Sequence, residues 1–306
     1  MSPWDTLPFS LRQLQYLVAV ADLGGFRRAA DACGVAQPSL SAQVAQVEAA
    51  LGIQVFERGT RGVRLSAAGG AVVDRARGVL LASTDLIDTA RRHGDPLRGR
   101  VRIGVIPTVC PYLLPEIAEP LMRTLPTLQV AWSEDKTNAL LAQLTEGRLD
   151  AALVADDALV GPWHHAILGD DPFVLAAAPQ HPLVRRKTPA STEALTGATV
   201  YLLDDGHCFR DQALALCGAT GAHAADLKAT GLSTLVQIVA AGAGVTLMPR
   251  MAVAVENRRG QLAVRRFASP APSRTLVLAW RKGSALAEPL EAVARIIRKA
   301  WPSAVR

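Results

Sequence analysis

The sequence lacks the segments that place a protein in a membrane or carry it across one. In its 306 residues, no apolar run approaches the ~18 to 20 residues that a membrane span needs. Residues 1–5 have neither the basic start nor the apolar core of a signal peptide. We therefore expect a cytoplasmic protein without membrane contact, and we disfavour a transport-type solute binder.

Cysteine is also scarce, with four residues in the whole chain. Four cysteines do not make a disulfide scaffold, and thiols in the cytosol are kept reduced. Any disulfide here is therefore expected to be transient and regulatory. We find no catalytic triad, zinc motif or P-loop, and we expect no metal and no cofactor.

The length suggests about two domains with ample chain to bury their cores. Half of the residues are apolar, which is typical of a globular protein. The net charge of +6 is compatible with nucleic-acid binding. However, residues 1–66 contain six arginines against five acidic residues, so charge alone does not identify a DNA-binding domain.

Two of the cysteines, Cys208 and Cys217, lie nine residues apart in an informative tract. The turn at 204–206 and His207 come directly before Cys208, and Arg210 follows it. Cationic neighbours and a nearby helix start favour the thiolate, which is the reactive form of cysteine. The ordinary alternative is that both cysteines are small buried hydrophobes.

Residues 210–217 contain no proline or glycine and are predicted to be helical. On a helix, nine residues turn ~900° and leave two side chains on opposite faces, ~13.5 Å apart along the axis. A disulfide needs Cα atoms within ~7 Å of each other. Oxidation of the pair would therefore have to unwind or refold the segment, as a switch does.

A helix-turn-helix pattern lies near the N-terminus. After Ser10, a good N-cap, apolar residues recur at helical spacing until Gly24. A short alanine-rich helix, a turn at Gly34 and a second helix opened by Pro38 follow. Short polar side chains at the start of the second helix suit contacts with phosphates and base edges. The DNA-contacting residues predicted from these helices are Arg27, Gln37, Pro38, Ser39, Ser41 and Gln43, with Ala42 and Gln46 on the same face as Ser39.

Residues 51–65 are predicted to form a hairpin, in which two short strands flank a tip containing glycine and arginine. Such a hairpin is a wing, and Arg58, Arg61 and Arg64 would reach phosphate or the minor groove. The alternative is that these arginines only solvate a loop. Behind a helix-turn-helix that alternative is the weaker one.

Residues 10–70 resemble the winged helix-turn-helix of LysR-type transcriptional regulators. The resemblance rests on three segments, 36–41, 51–58 and 65–69. It implies a DNA-binding domain at 1–66 and a linker helix at 67–93 that pairs antiparallel with a second subunit. The glycine and proline residues at 94–99 break the helix and indicate a hinge. A dedicated enzyme such as a thiol peroxidase has no need of DNA contacts, so we expect that the protein is not an enzyme.

Strands and helices alternate from residue 100 onward, which predicts an α/β region with largely parallel sheets in a chain that is α+β overall. The resemblance implies a two-lobed regulatory domain like a periplasmic solute-binding protein. One lobe would comprise 100–170 and 275–306, and the other 171–274. Ligands of such folds bind between the lobes, so a regulator that responds to a small metabolite, with incidental cysteines, is the main alternative function.

Within the family, the tract 201–249 looks like the peroxide-sensing members. The matching residues are 205–213, Cys217, 229–235 and 239–249, with 107–115, 136–144 and 274–276 elsewhere in the chain. The resemblance implies that Cys208 is oxidised by hydrogen peroxide to a sulfenic acid and that Cys217 resolves it as a disulfide. It also assigns four residues to binding peroxide or stabilising the thiolate, namely Thr108, Thr137, His207 and Arg274.

The partners implied by the resemblance are double-stranded operator DNA, hydrogen peroxide as the signal, RNA polymerase, and copies of the same chain in a homotetramer built from two dimers. One position departs from the resembled motif, because Cys110 stands where glycine is usual. Its thiol is either inert packing or a third thiol near the pocket.

Overall fold

The computed structural model describes residues 7–59, 62–91, 95, 97–159, 161 and 163–305. Its contacts divide the chain into two compact units, residues 1–91 and 92–306. The helices and strands of the first unit are α1 Leu11–Leu23, α2 Phe26–Cys33, α3 Gln37–Leu51, β1 Phe56–Gly59, β2 Gly62–Leu65 and α4 Gly69–Arg91.

Local sequence signals fix the helices of the first unit. Ser10 caps α1 in a reciprocal pair of hydrogen bonds with Gln13, and Gly24 ends the helix at φ 61°, where a side chain would be strained. Gly34 makes the turn between α2 and α3 at φ 66°. Buried side chains from these helices and from α4 form one core, which confirms the predicted helix-turn-helix.

The long helix α4 is apolar along a face that extends beyond this core. Val73 and Ala76 are buried in the core, whereas Val79, Leu86 and Ile87 are 46, 71 and 50 % exposed. The helix begins at Gly69, whose backbone N–H donates to the Ser66 hydroxyl at 3.0 Å. The unit therefore presents an apolar stripe on the second half of α4.

The second unit contains most of the chain. Its helices and strands are β3 Gly99–Val105, α5 Cys110–Thr124, β4 Leu128–Glu134, α6 Thr137–Thr145, β5 Ala151–Ala155, β6 Trp163–Ala177, α7 Pro182–Arg185, β7 Thr199–Leu203, α8 Cys208–Thr220, β8 His223–Ala229, α9 Leu232–Ala240, β9 Val245–Pro249, α10 Val253–Glu256, β10 Ala263–Arg266, β11 Ser273–Arg281 and α11 Ala287–Ala304, with short 3-10 turns at Asp156–Ala158, Thr192–Leu195 and Arg250–Ala252.

The strands of this unit are hydrogen-bonded in the order β4-β3-β5-β11-β6-β9-β7-β8, with β10 also paired to β6. We call β4, β3, β5 and β11 the first half-sheet, and β9, β7, β8 and β10 the second half-sheet. The long strand β6 joins them, because residues 163–172 pair with β11 and residues 173–177 pair with β9.

The prediction of largely parallel sheets was wrong, because β6 and β11 run antiparallel to their neighbours. The pairs that β3 makes with β4 and β5, and those that β7 makes with β8 and β9, are parallel. Strand β8 was missed because it is an edge strand whose side chains are mostly exposed, which removes the hydrophobic alternation.

Among the described residues, we find no helix that is both long and apolar enough to cross a membrane.

The carboxyl ends of four parallel strands carry the predicted site residues or their neighbours. Thr108 follows β3, Thr137 follows β4, His207 follows β7, and Thr230 follows β8. In open α/β sheets, ligand sites form outside the carboxyl ends of strands. The topology therefore places the polar loops of both half-sheets where a site can form.

Candidate redox site and DNA-contacting surface

Helix α8 contains both cysteines of the predicted pair. Cys208 is its first residue and is 8 % exposed, while Cys217 is 3 % exposed. Both are free thiols and both pack into the apolar core of the unit. The helix is unbroken from Cys208 to Cys217, and nine residues of α-helix place the two cysteines ~13.5 Å apart along the axis. In this conformation no disulfide can join them.

The position of Cys208 at the start of α8 follows from the preceding turn. Gly206 has φ 91°, a left-handed conformation that glycine adopts without strain, and His207 is the N-cap. The aligned peptide dipoles at a helix N-terminus stabilise negative charge on a nearby group. Burial raises the pKa of the Cys217 thiol, so Cys217 is protonated at pH 7.

His207 is nearly fully buried at this turn, with 4 % of its surface exposed. Burial is the main cause that lowers the pKa of His207; the Lys136 ammonium lowers it further, and Asp204 opposes both. His207 Nε2 lies 3.1 Å from Asp204 Oδ1. His207 is thus neutral near pH 7 and contributes a polar ring to the site instead of the predicted positive charge.

The other predicted cation, Arg210, binds the turn itself. Its Nη1 donates to the Leu203 carbonyl at 2.9 Å, and its Nε donates to Asp205 Oδ1 at 3.0 Å. Lys228 approaches the second oxygen of Asp205 at 2.9 Å, and Lys228 and then Arg210 lower the pKa of Asp205. Arg210 therefore stabilises the loop that presents Cys208.

Arg274 is the most deeply buried cation of the site. Its guanidinium makes two bonds to Asp171 Oδ2, at 3.1 and 2.9 Å, and both side chains are fully buried. It also donates to the Thr108 hydroxyl at 2.7 Å and to the Thr108 carbonyl at 2.9 Å. Its charge lies 5.5 Å from the centre of the Phe209 ring, next in sequence to Cys208. Arg274 thus links the end of β3 to the start of α8.

A cavity of about 390 Å³ lies beside two of the predicted residues. Thr108 and His207 line this cavity, together with Lys136, Tyr112 and Glu256. Thr137, next to Lys136, is 5 % exposed, and its hydroxyl has no hydrogen-bond partner among the described residues. The structure therefore brings Thr108 and Arg274 into direct contact and places His207 on the same cavity as Thr108.

Cys110 opens helix α5 and is partly buried. Burial, followed by the charge of Glu134, raises the pKa of the Cys110 thiol to about 11. A thiol that stays protonated at neutral pH is a poor nucleophile. Of the two interpretations, inert packing is the one that these surroundings favour.

Among the described residues, no cluster of three His, Cys, Asp or Glu side chains could hold a metal ion.

Sequence reasoning missed three contributors to the site. Asp171 was not identified as the partner of Arg274, and the Lys136 bond to Asp204 was not foreseen. Tyr112 also donates a hydrogen bond to Glu256, 144 residues away. A buried arginine requires an anionic partner, which could have prompted a search, but no sequence signal selects Asp171 among the acidic residues.

We expect acid to destabilise the protein through His207. Because its folded pKa is lowered below the ordinary value of ~6.5, the unfolded chain takes up a proton first as pH falls. Stability is then unaffected well above pH ~6.5 and declines as the pH drops through that value toward the folded pKa. Replacing His207 with glutamine should reduce the fall in Tm between about pH 7.5 and 5.5, measured by thermal denaturation. The exposed His223 provides the control, H223Q; an acid sensitivity that is equal in all three proteins would contradict the prediction.

The predicted DNA-contacting side chains of the first unit lie on its surface. Gln37, Pro38 and Ser39 are exposed in the first turn of α3, Ser41 and Gln43 are partly exposed, and Arg27 is exposed on α2. Gln46 is exposed, as are Ser39 and Ala42, and its side chain accepts a hydrogen bond from Gln13 of α1 at 3.0 Å. Leu51 is 38 % exposed, since it ends α3 just before Gly52.

The predicted wing is the hairpin of β1 and β2. Arg58 belongs to β1 and pairs in register with Val63, and Arg64 is exposed on β2. Arg61 lies outside the described residues. Glu48 of α3 accepts hydrogen bonds from the backbone of Val55 at 2.7 Å and of Phe56 at 3.0 Å. These bonds hold the hairpin against α3.

Comparisons with known proteins agree on one family. Residues 11–70 match the bacterial regulatory helix-turn-helix protein, lysR family, and residues 94–302 match the LysR substrate binding domain. The chain is 41 % identical over 290 residues to the DNA-binding transcriptional dual regulator OxyR of Escherichia coli (strain K12), covering 94 % of this chain and 95 % of the relative.

Two solved structures extend the comparison to three dimensions. Full-length OxyR from Pseudomonas aeruginosa, with a cysteine replaced by aspartate, is 31 % identical with a TM-score of 0.77, and 96 % of each chain is covered. A cysteine-to-serine mutant of Corynebacterium glutamicum OxyR, bound to H2O2, is 34 % identical with a TM-score of 0.66, covering 98 % of this chain and 96 % of that one. On this sequence and structural evidence, the chain belongs to the LysR family of bacterial regulatory helix-turn-helix proteins.

Proposed function

We propose that this protein is a cytoplasmic, DNA-binding transcription regulator that senses hydrogen peroxide through Cys208 and Cys217. The observation that carries the proposal is their arrangement on α8, where Cys208 occupies the N-terminus and Cys217 is buried too far away for a disulfide. The regulators that this chain resembles include one bound to H2O2.

The chemistry proceeds in two balanced steps. The Cys208 sulfur attacks one peroxide oxygen, the O–O bond breaks, and Cys208 becomes a sulfenic acid as the other oxygen leaves as water. The Cys217 sulfur then attacks the Cys208 sulfur, an S–S bond forms, and the sulfenic oxygen leaves as a second water. Two thiols lose two electrons, and peroxide is reduced to two molecules of water.

In this proposal, four polar residues assist the first step. The unpartnered hydroxyl of Thr137 is free to bind a peroxide oxygen, and Thr108 is oriented by Arg274. Neutral His207 accepts or donates a hydrogen bond, and the buried charge of Arg274 stabilises negative charge that develops near Cys208. Hydrogen-bond donors in a buried site act strongly because little water competes with them.

The reduced and oxidised conformations would differ in how subunits pack, and hence in the spacing of their recognition helices on operator DNA. The exposed stripe of Val79, Leu86 and Ile87 on α4 fits the proposed antiparallel pairing of linker helices. We propose a tetramer of two such dimers that contacts RNA polymerase, and a regulatory domain whose lobes have the boundaries predicted above.

The proposal is tested by mapping thiols by mass spectrometry after a brief, low dose of peroxide. Wild-type protein should acquire a Cys208–Cys217 linkage within seconds, and Cys208→Ser should not acquire it. If all four cysteines of the wild type stay reduced, the proposal fails. Thermal stabilisation by small molecules from a cell extract would then favour a regulator that binds a metabolite in the 390 Å³ cavity.

A further inference from the structure

Lys136 connects the two half-sheets at the turn that precedes Cys208. It lies between β4 and α6, on the first half-sheet, while the turn follows β7 of the second half-sheet. Its Nζ lies 2.9 Å from Asp204 Oδ2 and donates to the Asp205 carbonyl at 2.8 Å. One side chain thus holds two successive residues of the turn from across the cavity.

The shape of the turn fits this side chain. A Cβ atom at Gly206 would lie 3.1 Å from Cδ of Lys136, closer than ordinary van der Waals contact. The lysine stem therefore packs against the glycine, and its ammonium group reaches the two residues before it. Further along the segment, Gln212 of α8 donates to both carboxylate oxygens of Asp157, each at 2.9 Å.

The other polar contacts of the turn itself come from its own half-sheet. Lys228 of β8 binds Asp205 at 2.9 Å, and Arg210 binds the Leu203 carbonyl. When the start of α8 leaves its place, the turn can move away from the first half-sheet and still keep its bond to Lys228, which lies on the neighbouring strand β8. Such motion would break the bond from Lys136, which is fixed to the other half-sheet. Lys136 therefore fastens the turn to the first half-sheet, whereas Lys228 fastens it to the second half-sheet.

We propose that Lys136 is a positioning residue that latches the Asp204–Gly206 turn and α8 in the reduced conformation, so that its release governs the rate of the resolving step. The inference rests on the proposed function. Resolution requires that Cα atoms ~13.5 Å apart along α8 approach within ~7 Å, so the start of the helix must leave its place. The peroxide step occurs before this motion and does not require release of the latch.

The test measures the two steps separately in the full-length protein at about pH 8, where His207 is neutral. Sulfenic acid formation is followed in a Cys217→Ser background with a sulfenic-acid-specific dione probe, and disulfide formation is followed by rapid acid quench and mass spectrometry. Lys136→Gln should accelerate disulfide formation about fivefold, the ratio that corresponds to about 1 kcal/mol for a partly exposed ion pair. Sulfenic acid formation should change by less than about twofold.

Lys228→Gln is the matched control, because it removes a lysine that binds the same turn but leaves the turn bound to the first half-sheet through Lys136. The rate of disulfide formation in this variant should stay near that of wild type. Lys136→Arg should restore the slow rate, and Asp204→Asn should accelerate the step if Lys136→Gln fails to fold. Equal rates for Lys136→Gln and Lys228→Gln, or no rescue by arginine, would overturn the latch. A wild-type protein that forms no disulfide would instead refute the proposed function.

Discussion

Replacing Arg274 with alanine is expected to lower the free energy of unfolding by about 3–5 kcal/mol, the range found when one partner of a buried ion pair is removed. Arg274 and Asp171 are both fully buried, with two N–O distances of 2.9 and 3.1 Å. Burial already raises the pKa of Asp171, and the guanidinium is the main group that opposes this. Without Arg274, the carboxylate must take up a proton or draw in water, and Thr108 loses its donor.

Urea denaturation of the variant and its controls measures this effect. Arg123 provides the control, because its side chain is 74 % exposed and pairs with Glu119, which is 80 % exposed. Arg123→Ala should cost at most ~1 kcal/mol. The double variant Arg274→Met with Asp171→Leu should recover much of the loss, because no unpaired charge remains. A loss below ~1 kcal/mol for Arg274→Ala would show that the pair contributes little to stability.

Peroxide is expected to unfold α8, with a large loss of amide protection between Cys208 and Cys217. The helix holds the cysteines ~13.5 Å apart along its axis, and a disulfide allows ~7 Å between Cα atoms, so helical hydrogen bonds must break before the bond can form. We expect amide exchange in α8 to accelerate at least ~100-fold, which corresponds to about 3 kcal/mol of lost local stability. Hydrogen–deuterium exchange with mass spectrometry, before and after peroxide, measures it.

The variant Cys217→Ser separates oxidation from unfolding, because it retains Cys208 and cannot form the linkage. Its α8 amides should remain protected after peroxide, while α3 in the DNA-binding unit serves as an internal reference in both proteins. If α8 of the oxidised wild type stayed as protected as in the reduced protein, a disulfide within this helix would be excluded on geometric grounds.

Much of the fold could be predicted because its signals are local. The Ser10 cap, the glycines that end α1 and α2, and Pro38 at the start of α3 act within one helical turn of their own position. The cysteine pair also stood out locally, but its assignment as a redox pair came from the resemblance to the peroxide-sensing members of the family. Strand β8 escaped prediction because its edge position leaves few side chains to bury.

By itself, the sequence determined the helix-turn-helix, the wing, the long helix and the helical segment 210–217 that carries Cys217. The structure shows that this helix begins earlier, at Cys208. Only the tertiary structure decided which charges meet. Arg274 binds Asp171 across 103 residues, and Lys136 binds Asp204 across 68. Helix caps and apolar periodicity are set by residues a few positions apart. These ion pairs instead depend on the order of the strands in the sheet and on which strands have their carboxyl ends close together. His207 is likewise neutral because it is buried, which lowers its pKa. Burial depends on the tertiary structure and not on the residues next to His207 in the sequence.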